Sequence, residues 1–362
     1  MIPVFQPFYD EREEEAVASV MRSKWIGLGP VTERFEREFA LSVGTKYAVA
    51  VNSCTAALHI ALRVLEIAPG DEVLLPTMTF VSTAMVVNYE QACAILCDVC
   101  ADDLTIDYGD AAERQTNRTK AIIPVLYGGK PVPAPPFGLP AIYDCAHATG
   151  ARWDAAGKIC CWSFHAVKNL ATGDGGMITF DDPELNQRAV RLRWLGINKS
   201  TWSRTSVDRR YWWEYQFDEV GFKYHMNDLT AAIGLVQLAK LDEMQRARYR
   251  LVRQYREELA GVADIELSPE DDTSSWHLFT IRTPFRDELA VYLQERGIST
   301  GVHYKPLHLY PLYHSYALPV AEREWQRLLT LPLFPALTSA QVSLVCDTLK
   351  AGLSTLQLSR SL

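Results

Sequence analysis

The sequence predicts an α/β protein, with a large domain built on a mostly parallel sheet over residues 1–260 and a small α+β domain over residues 261–362. Three observations carry this. Short runs such as Tyr47–Val51 and Ile159–Phe164 are continuously apolar, the pattern of strands covered on both faces. They alternate with helical stretches along the first half of the chain, as in βαβ units. After about Gly261 the rhythm changes to strand, helix, strand and two further helices.

Taken in order, Asp10–Arg22 is charged with interspersed apolar residues and reads as an amphipathic helix. Trp25-Ile26-Gly27-Leu28-Gly29-Pro30 marks a loop, and Thr32–Ser42 is a helix with Phe35 and Phe39 on one face. The strand Tyr47–Val51 stops at Asn52-Ser53-Cys54-Thr55 before an apolar helix, Ala56–Glu66. Strands follow at Glu72–Leu75, Ala94–Cys97, Ala121–Leu126, Ala141–Tyr143, Ile159–Phe164 and Met177–Phe180, with helices at Val81–Tyr89 and Pro183–Trp194. Residues 196–222 break the pattern with Trp202, Arg204, Arg209, Arg210, Trp212 and Trp213, and read as a long functional excursion or flap. Helices Met226–Ala239 and Leu241–Leu259 close the large domain. The small domain reads as strand Leu278–Arg282, helix Arg286–Arg296, strand Ile298–His303 and helices at Ala321–Leu329 and Ser339–Leu353.

The 362 residues are 48% hydrophobic and 22% charged, enough apolar residue for a large core. A net charge of -8 without any long Lys/Arg block argues against nucleic-acid binding. The segment MIPVFQPFYDEREEE is unlike a signal peptide and no apolar run spans a bilayer, so the expectation is a cytoplasmic protein without a membrane partner. The eight cysteines do not suggest a disulfide framework. Cys93, Cys97 and Cys100 have no second Cys/His pair at zinc-like spacing, so buried free thiols are expected and no metal site.

The chemistry centres on residues 160–177. Lys168 lies between two apolar runs and ahead of Gly173, Gly175 and Gly176. A buried lysine has a lowered pKa, and its free amine can attack an aldehyde. The ordinary alternative is a solvated surface lysine. Ser53, Cys54 and Thr55 sit at a strand-to-helix turn, where free N–H groups and the helix dipole can hold a phosphate, although Ser and Thr also serve there as plain caps. Asp144 follows a strand, placed to hold a pyridinium proton or simply to cap the next turn, and His147 lies three residues on. In parallel sheets such strand ends line the ligand crevice.

Together these segments resemble the DegT/DnrJ/EryC1/StrS family of nucleotide-sugar aminotransferases, over nearly the whole chain. The matching stretches are Trp25–Pro30 with Phe35-Glu36, Asn52–Leu58, Pro76-Thr-Met-Thr-Phe80, Asp144-Cys-Ala-His147, Ser163-Phe-His-Ala-Val-Lys168 with Gly173–Gly176, Gly221–Asp228 leading into Ala231–Gly234, and Val302–His308. The resemblance implies the fold-type-I architecture and the cofactor pyridoxal 5′-phosphate. Lys168 would bond to the cofactor and move protons, Asp144 would pair with its pyridine nitrogen, His147 would lie by O3′, and Phe80 would stack on the ring. Ser163 and the Cys54–Thr55 turn would hold the phosphate, with Asn227 reaching it from the second subunit of a homodimer. Trp25, His303, Tyr304 and His308 would line the sugar-nucleotide pocket, where ordinary packing is the competing account.

Cys54 stands where the family usually has glycine, which backbone N–H contacts tolerate. Lysine rather than histidine at position 168 favours amino transfer over the dehydratase chemistry of some members. His147, where members acting at C3 more often carry glutamine, points to C4. The implied reaction moves an amino group from L-glutamate to a nucleotide-linked 4-keto-6-deoxy sugar. The alternatives are a 3-keto sugar, a keto-cyclitol, a dehydratase, or a non-catalytic regulator, for which length and acidic charge leave little room.

Overall fold

A computed structural model describes residues 1–198 and 214–360. The strands are β1 (Tyr47–Val51), β2 (Glu72–Pro76), β3 (Cys93–Cys97), β4 (Thr119–Ile122), β5 (Ile142–Asp144), β6 (Ile159–Ser163), β7 (Gly176–Phe180), β8 (Glu266–Leu267), β9 (Phe279–Arg282) and β10 (Leu328–Leu331). The helices are α1 (Glu11–Ser23), α2 (Pro30–Val43), α3 (Cys54–Val64), α4 (Ser82–Tyr89), α5 (Tyr108–Arg114), α6 (Pro183–Leu192), α7 (Asp228–Ala239), α8 (Leu241–Leu259), α9 (Arg286–Glu295), α10 (Pro319–Trp325) and α11 (Ser339–Arg360).

β3, β2 and β4 pair in parallel, and β5 pairs in parallel with β6. Parallel bridges at Ile122–Ala141 and Val125–Asp144 join the two groups. β7 alone runs against its neighbours, inserted between β6 and β1 and antiparallel to both. Its first residues therefore lie at the same sheet edge as the last residues of the parallel strands. β2, β5 and β7 are buried at every position, which explains the apolar stretches Val73–Leu75, Ile142-Tyr143 and Met177-Ile178 within them. β8, β9 and β10 form a separate antiparallel sheet. A second apolar cluster surrounds it, drawn from the C-terminal half of α8, α9 and α11, with Ile2 from the N-terminal segment.

Local chemistry sets the helix starts. Asp10 caps α1, and the Glu13 carboxylate reaches back to the Asp10 N–H at 2.9 Å. α2 begins with Pro30 after Gly29, which has no side chain to act as a cap. Asp228, from the first turn of α7, does that work instead. Its carboxylate accepts from the N–H groups of Gly29 (3.0 Å), Val31 (3.3 Å) and Thr32 (2.9 Å) and from the Thr32 hydroxyl (2.6 Å).

Three expectations are corrected. Ile298–His303 is not a strand: Ile298 bridges to Ile2 and Gly301 to Thr330, so the stretch crosses between two partners without following either. The helix expected over Ala321–Leu329 ends at Trp325, and Leu328 and Leu329 open β10, antiparallel to β9. A short apolar run carries no period that separates a buried strand from a helix. Cys93 is exposed and Cys100 half-buried, whereas the other six cysteines are buried as expected, all eight as free thiols.

Candidate active site

A crevice of about 440 Å³ opens where the sheet's carboxyl edge meets the C-terminal segment. β5 delivers Asp144 and β6 delivers Ser163; Lys168 comes from the loop after β6, and Cys54 and Thr55 from the first turn of α3. Phe80, His147, His303 and Tyr304 complete the lining among the residues expected from sequence.

Lys168 is half-buried on this surface. Desolvation pushes its ammonium down from 10.5 to about 8, against the opposing pull of Asp144 and Cys54. The backbone around it is pinned: Lys168 N–H donates to the His165 carbonyl at 2.8 Å, and Ala166 N–H to Gly173 at 2.7 Å. The next residue, Asn169, is buried and donates its amide to the carbonyls of Ser275 (2.9 Å) and Thr149 (3.3 Å).

Asp144 is buried, and its hydrogen bonds come from neutral groups, the Thr83 hydroxyl at 2.8 Å and the Ala146 N–H at 3.1 Å. Burial raises its pKa, and these hydrogen bonds and Lys168 only partly offset the rise. The Cys54 thiol lies 4.0 Å from the same carboxylate and is itself pushed up by burial. His147 is buried and kept neutral, chiefly by desolvation and then by Lys168 and His303. Its Nδ1 accepts the Gly128 N–H at 3.2 Å, so the ring proton sits on Nε2, 3.1 Å from the Tyr304 hydroxyl. Burial and Asp144 push that phenol up, and burial lowers His303 to about 4. Phe80 is 58% exposed, a large aromatic face left open beside Tyr304.

The turn into α3 is built to leave donors free. Ser53 caps the helix, its hydroxyl accepting the Ala56 N–H at 3.1 Å and its carbonyl the Ala57 N–H at 3.1 Å. The first two helical N–H groups, those of Cys54 and Thr55, lie at the positive end of the helix dipole. Gly176 opens β7 directly against this turn. A Cβ there would stand 2.5 Å from the Ser53 carbonyl carbon and 2.6 Å from the Cys54 nitrogen.

Three expected residues are not brought to the crevice of their own chain. Trp25 packs beside Gly29 and donates its indole N–H to the Leu28 carbonyl at 3.2 Å. Asn227 is exposed and caps α7, accepting the Thr230 N–H at 2.9 Å. Both flank Asp228, whose cap on α2 fixes the two segments as one unit. His308 is buried with both ring nitrogens engaged, Nδ1 with Thr77 at 2.8 Å and Nε2 with Glu322 at 3.1 Å. That placement makes it a strut. His308→Phe should cost about 1–3 kcal/mol of stability, read by denaturant unfolding, and leave the sugar-substrate KM unchanged. Arg209 and Arg210, and the other flap aromatics named above, lie outside the described residues.

Sequence reasoning missed Thr83, Asn169, Tyr127, Phe5 and His277. Thr83 was one of several small residues in the expected helix Val81–Tyr89, and only the fold turns its hydroxyl to Asp144. Asn169 directly follows Lys168, the one signal available. Phe5, Tyr127 and His277 reach the site from distant chain positions with no local pattern.

The model of the DegT/DnrJ/EryC1/StrS aminotransferase family matches residues 7–350. The dTDP-4-dehydro-2,3,6-trideoxy-D-glucose 4-aminotransferase of Saccharopolyspora spinosa is 38% identical over 367 residues, covering 96% of this chain and 95% of that protein. The crystal structure of the aminotransferase TlmJ from Streptoalloteichus hindustanus superposes with a TM-score of 0.90 at 36% identity, over 98% of this chain and 100% of that one. The PLP-form of the putative sugar aminotransferase Spr1654 from Streptococcus pneumoniae gives a TM-score of 0.88 at 30% identity, over 97% and 98%.

Proposed function

We propose a reaction from one premise: the chain belongs to the DegT/DnrJ/EryC1/StrS aminotransferase family and is a sugar aminotransferase. In this reading pyridoxal 5′-phosphate is the cofactor, L-glutamate the amino donor, and a nucleotide-linked 4-keto-6-deoxy sugar the acceptor. The observation that carries it is a desolvated lysine amine facing a buried carboxylate that has only neutral hydrogen-bond donors.

The residues fit this cofactor. A buried Asp144 whose hydrogen bonds come only from neutral donors suits a pyridinium N–H. The Cys54 and Thr55 N–H groups and the Ser163 hydroxyl suit a phosphate. Phe80 offers an open face to a ring, and the His147 Nε2–H, which meets the Tyr304 hydroxyl at 3.1 Å, would exchange that partner for a phenolic oxygen of the bound cofactor. When bound, the cofactor supplies an electron sink for charge developing at the substrate carbon. Asp144 would keep the ring nitrogen protonated. Lys168 would take the proton from the donor's Cα and deliver it to C4′, across the intervening nitrogen; its lowered pKa would keep enough free base near neutral pH to do so. Asn227, exposed and turned from its own crevice, is assigned to the phosphate of the second subunit in a homodimer.

A groove of about 890 Å³ continues from the crevice through Phe80, His303 and Tyr304. Lys305 lies along it 4.8 Å over the Tyr310 ring, and Trp325 forms its far wall. A cation beside aromatic faces suits a diphosphate followed by a base. Amination at C4 draws support from His147 and from the name of the S. spinosa relative; a 3-keto sugar or keto-cyclitol is the rival acceptor, and Lys168 argues against dehydration. Among the described residues no helix is long and apolar enough to cross a membrane; the cytoplasm is the proposed setting.

The deciding experiment incubates purified enzyme with glutamate and a panel of dTDP-, UDP- and GDP-linked 3-keto and 4-keto sugars, with products read by mass. A 4-amino product with 2-oxoglutarate is expected. Amination of the 3-keto members alone would overturn the C4 assignment. Gly176→Ala, which drives a methyl into the Ser53–Cys54 backbone, should weaken cofactor binding by about tenfold or more, measured by equilibrium dialysis.

A further inference from the structure

We propose that His277 is a positioning residue: from the segment ahead of β9, it sets the ring plane of His147 and through it the hydrogen bond offered to the cofactor's O3′. The proposal rests on the cofactor reading above and adds a residue that contacts neither cofactor nor substrate. The His277 ring lies 4.4 Å from the His147 ring, tilted by 39°. Phe5, from the N-terminal segment, stacks parallel on His277 at 5.2 Å.

Hydrogen bonds fix the orientation of His277. Both donors of the Asn169 amide are committed to the Ser275 and Thr149 carbonyls, so its oxygen accepts, and the proton of His277 sits on Nδ1, 3.1 Å away. The His277 backbone N–H donates to the Gly128 carbonyl at 2.9 Å. Gly128 is the residue whose own N–H binds His147 Nδ1. One residue thus packs on the His147 ring and steadies the glycine that selects its tautomer. Ser275 adds a third hold, its hydroxyl donating to the His147 carbonyl at 2.6 Å. Asn169 follows Lys168, so the same cluster ties the lysine loop to the O3′ side of the site. Burial, with the charges of Lys168 and Arg248 and the rings of His147 and His303 around it, holds His277 neutral.

The test compares holoenzyme and apo protein of His277→Ala, His277→Gln and His277→Phe with His147→Ala. The readouts are the cofactor dissociation constant and the pH midpoint of the bound cofactor's visible band. His277→Ala should weaken cofactor binding about tenfold, the scale on which removing the partner of an oriented histidine acts in other sites. It should also move the band midpoint in the direction that His147→Ala moves it. His277→Gln keeps a donor for Asn169 but loses the ring, and should behave like alanine; His277→Phe keeps the ring and should retain most of the affinity. A purely structural residue would lower the melting temperature and leave the band midpoint in place. Wild-type affinity and midpoint in folded His277→Ala or His277→Gln, with His147→Ala impaired, would overturn the proposal and leave His147's assignment standing. A silent His147→Ala would overturn both.

Discussion

Lys168→Ala should abolish amino transfer, lowering kcat by at least about 10⁴-fold, and remove the visible absorbance band of the purified protein. Crevice geometry supplies no substitute: the imidazoles of His147 and His303 line the same surface, but the first is committed to Tyr304 and Gly128 and the second to Thr330 at 2.9 Å. Retention of transaminase activity by the mutant would sink the mechanism. The lowered pKa adds a pH signature. The folded amine loses its proton near 8 and the unfolded one near 10.5, so cofactor uptake by apo protein should rise with pH and level off above about 8. Between those values the unfolded chain binds more protons. Apo stability should therefore climb from pH 8 to 10.5, and this contribution is lost as pH falls through about 8. Lys168→Ala should flatten that climb, measurable as melting temperature against pH.

Asp144→Asn should separate stability from activity. The buried carboxyl has a raised pKa, so the stability it lends is full below its unfolded value of 3.8 and is lost as pH rises through the folded value. Once ionised, the group thus weakens the apo protein. An amide carries no charge to desolvate, and the Thr83 hydroxyl can rotate to accept from it because Thr79 lies 2.8 Å away as a further partner. The apo melting temperature should rise. Activity should fall about 10²- to 10³-fold, the scale of losing a preorganised charge at the reacting group, because an amide cannot hold the ring-nitrogen proton. A mutant that is less stable in the apo form, or fully active, would contradict this account.

The parts of this site that the sequence shows are those carried on short local patterns. Asp144 and Ser163 end apolar runs, Cys54 and Thr55 begin a helix after one, and Lys168 is followed by glycines; all meet at one sheet edge. What the sequence hides depends on distance and direction. Nothing local tells β7 to run antiparallel, yet that reversal brings Gly176 against the Ser53–Cys54 turn. His308 sits in a motif beside His303 and Tyr304, and only the fold shows its ring tied between Thr77 and Glu322. Thr83, Tyr127 and His277 act on residues 61, 176 and 130 positions away or more in sequence, beyond any window of periodicity. β10 fails for another reason: four buried residues are too few to display a period.

The pairing of β1 with β7 also sets an order of assembly during synthesis. Val51 pairs with Gly176, so β1 emerges from the ribosome long before its neighbour exists. At roughly 5–20 residues per second the wait is about 6–25 s. During that interval the strand edge and the turn after it stand open, without the Gly176 backbone that packs against them. The packing of Gly176 on the α3 turn is thus a late product of translation: on the proposed reading no fragment ending before Gly176 should bind the cofactor, and such fragments should be the forms most prone to edge-to-edge aggregation.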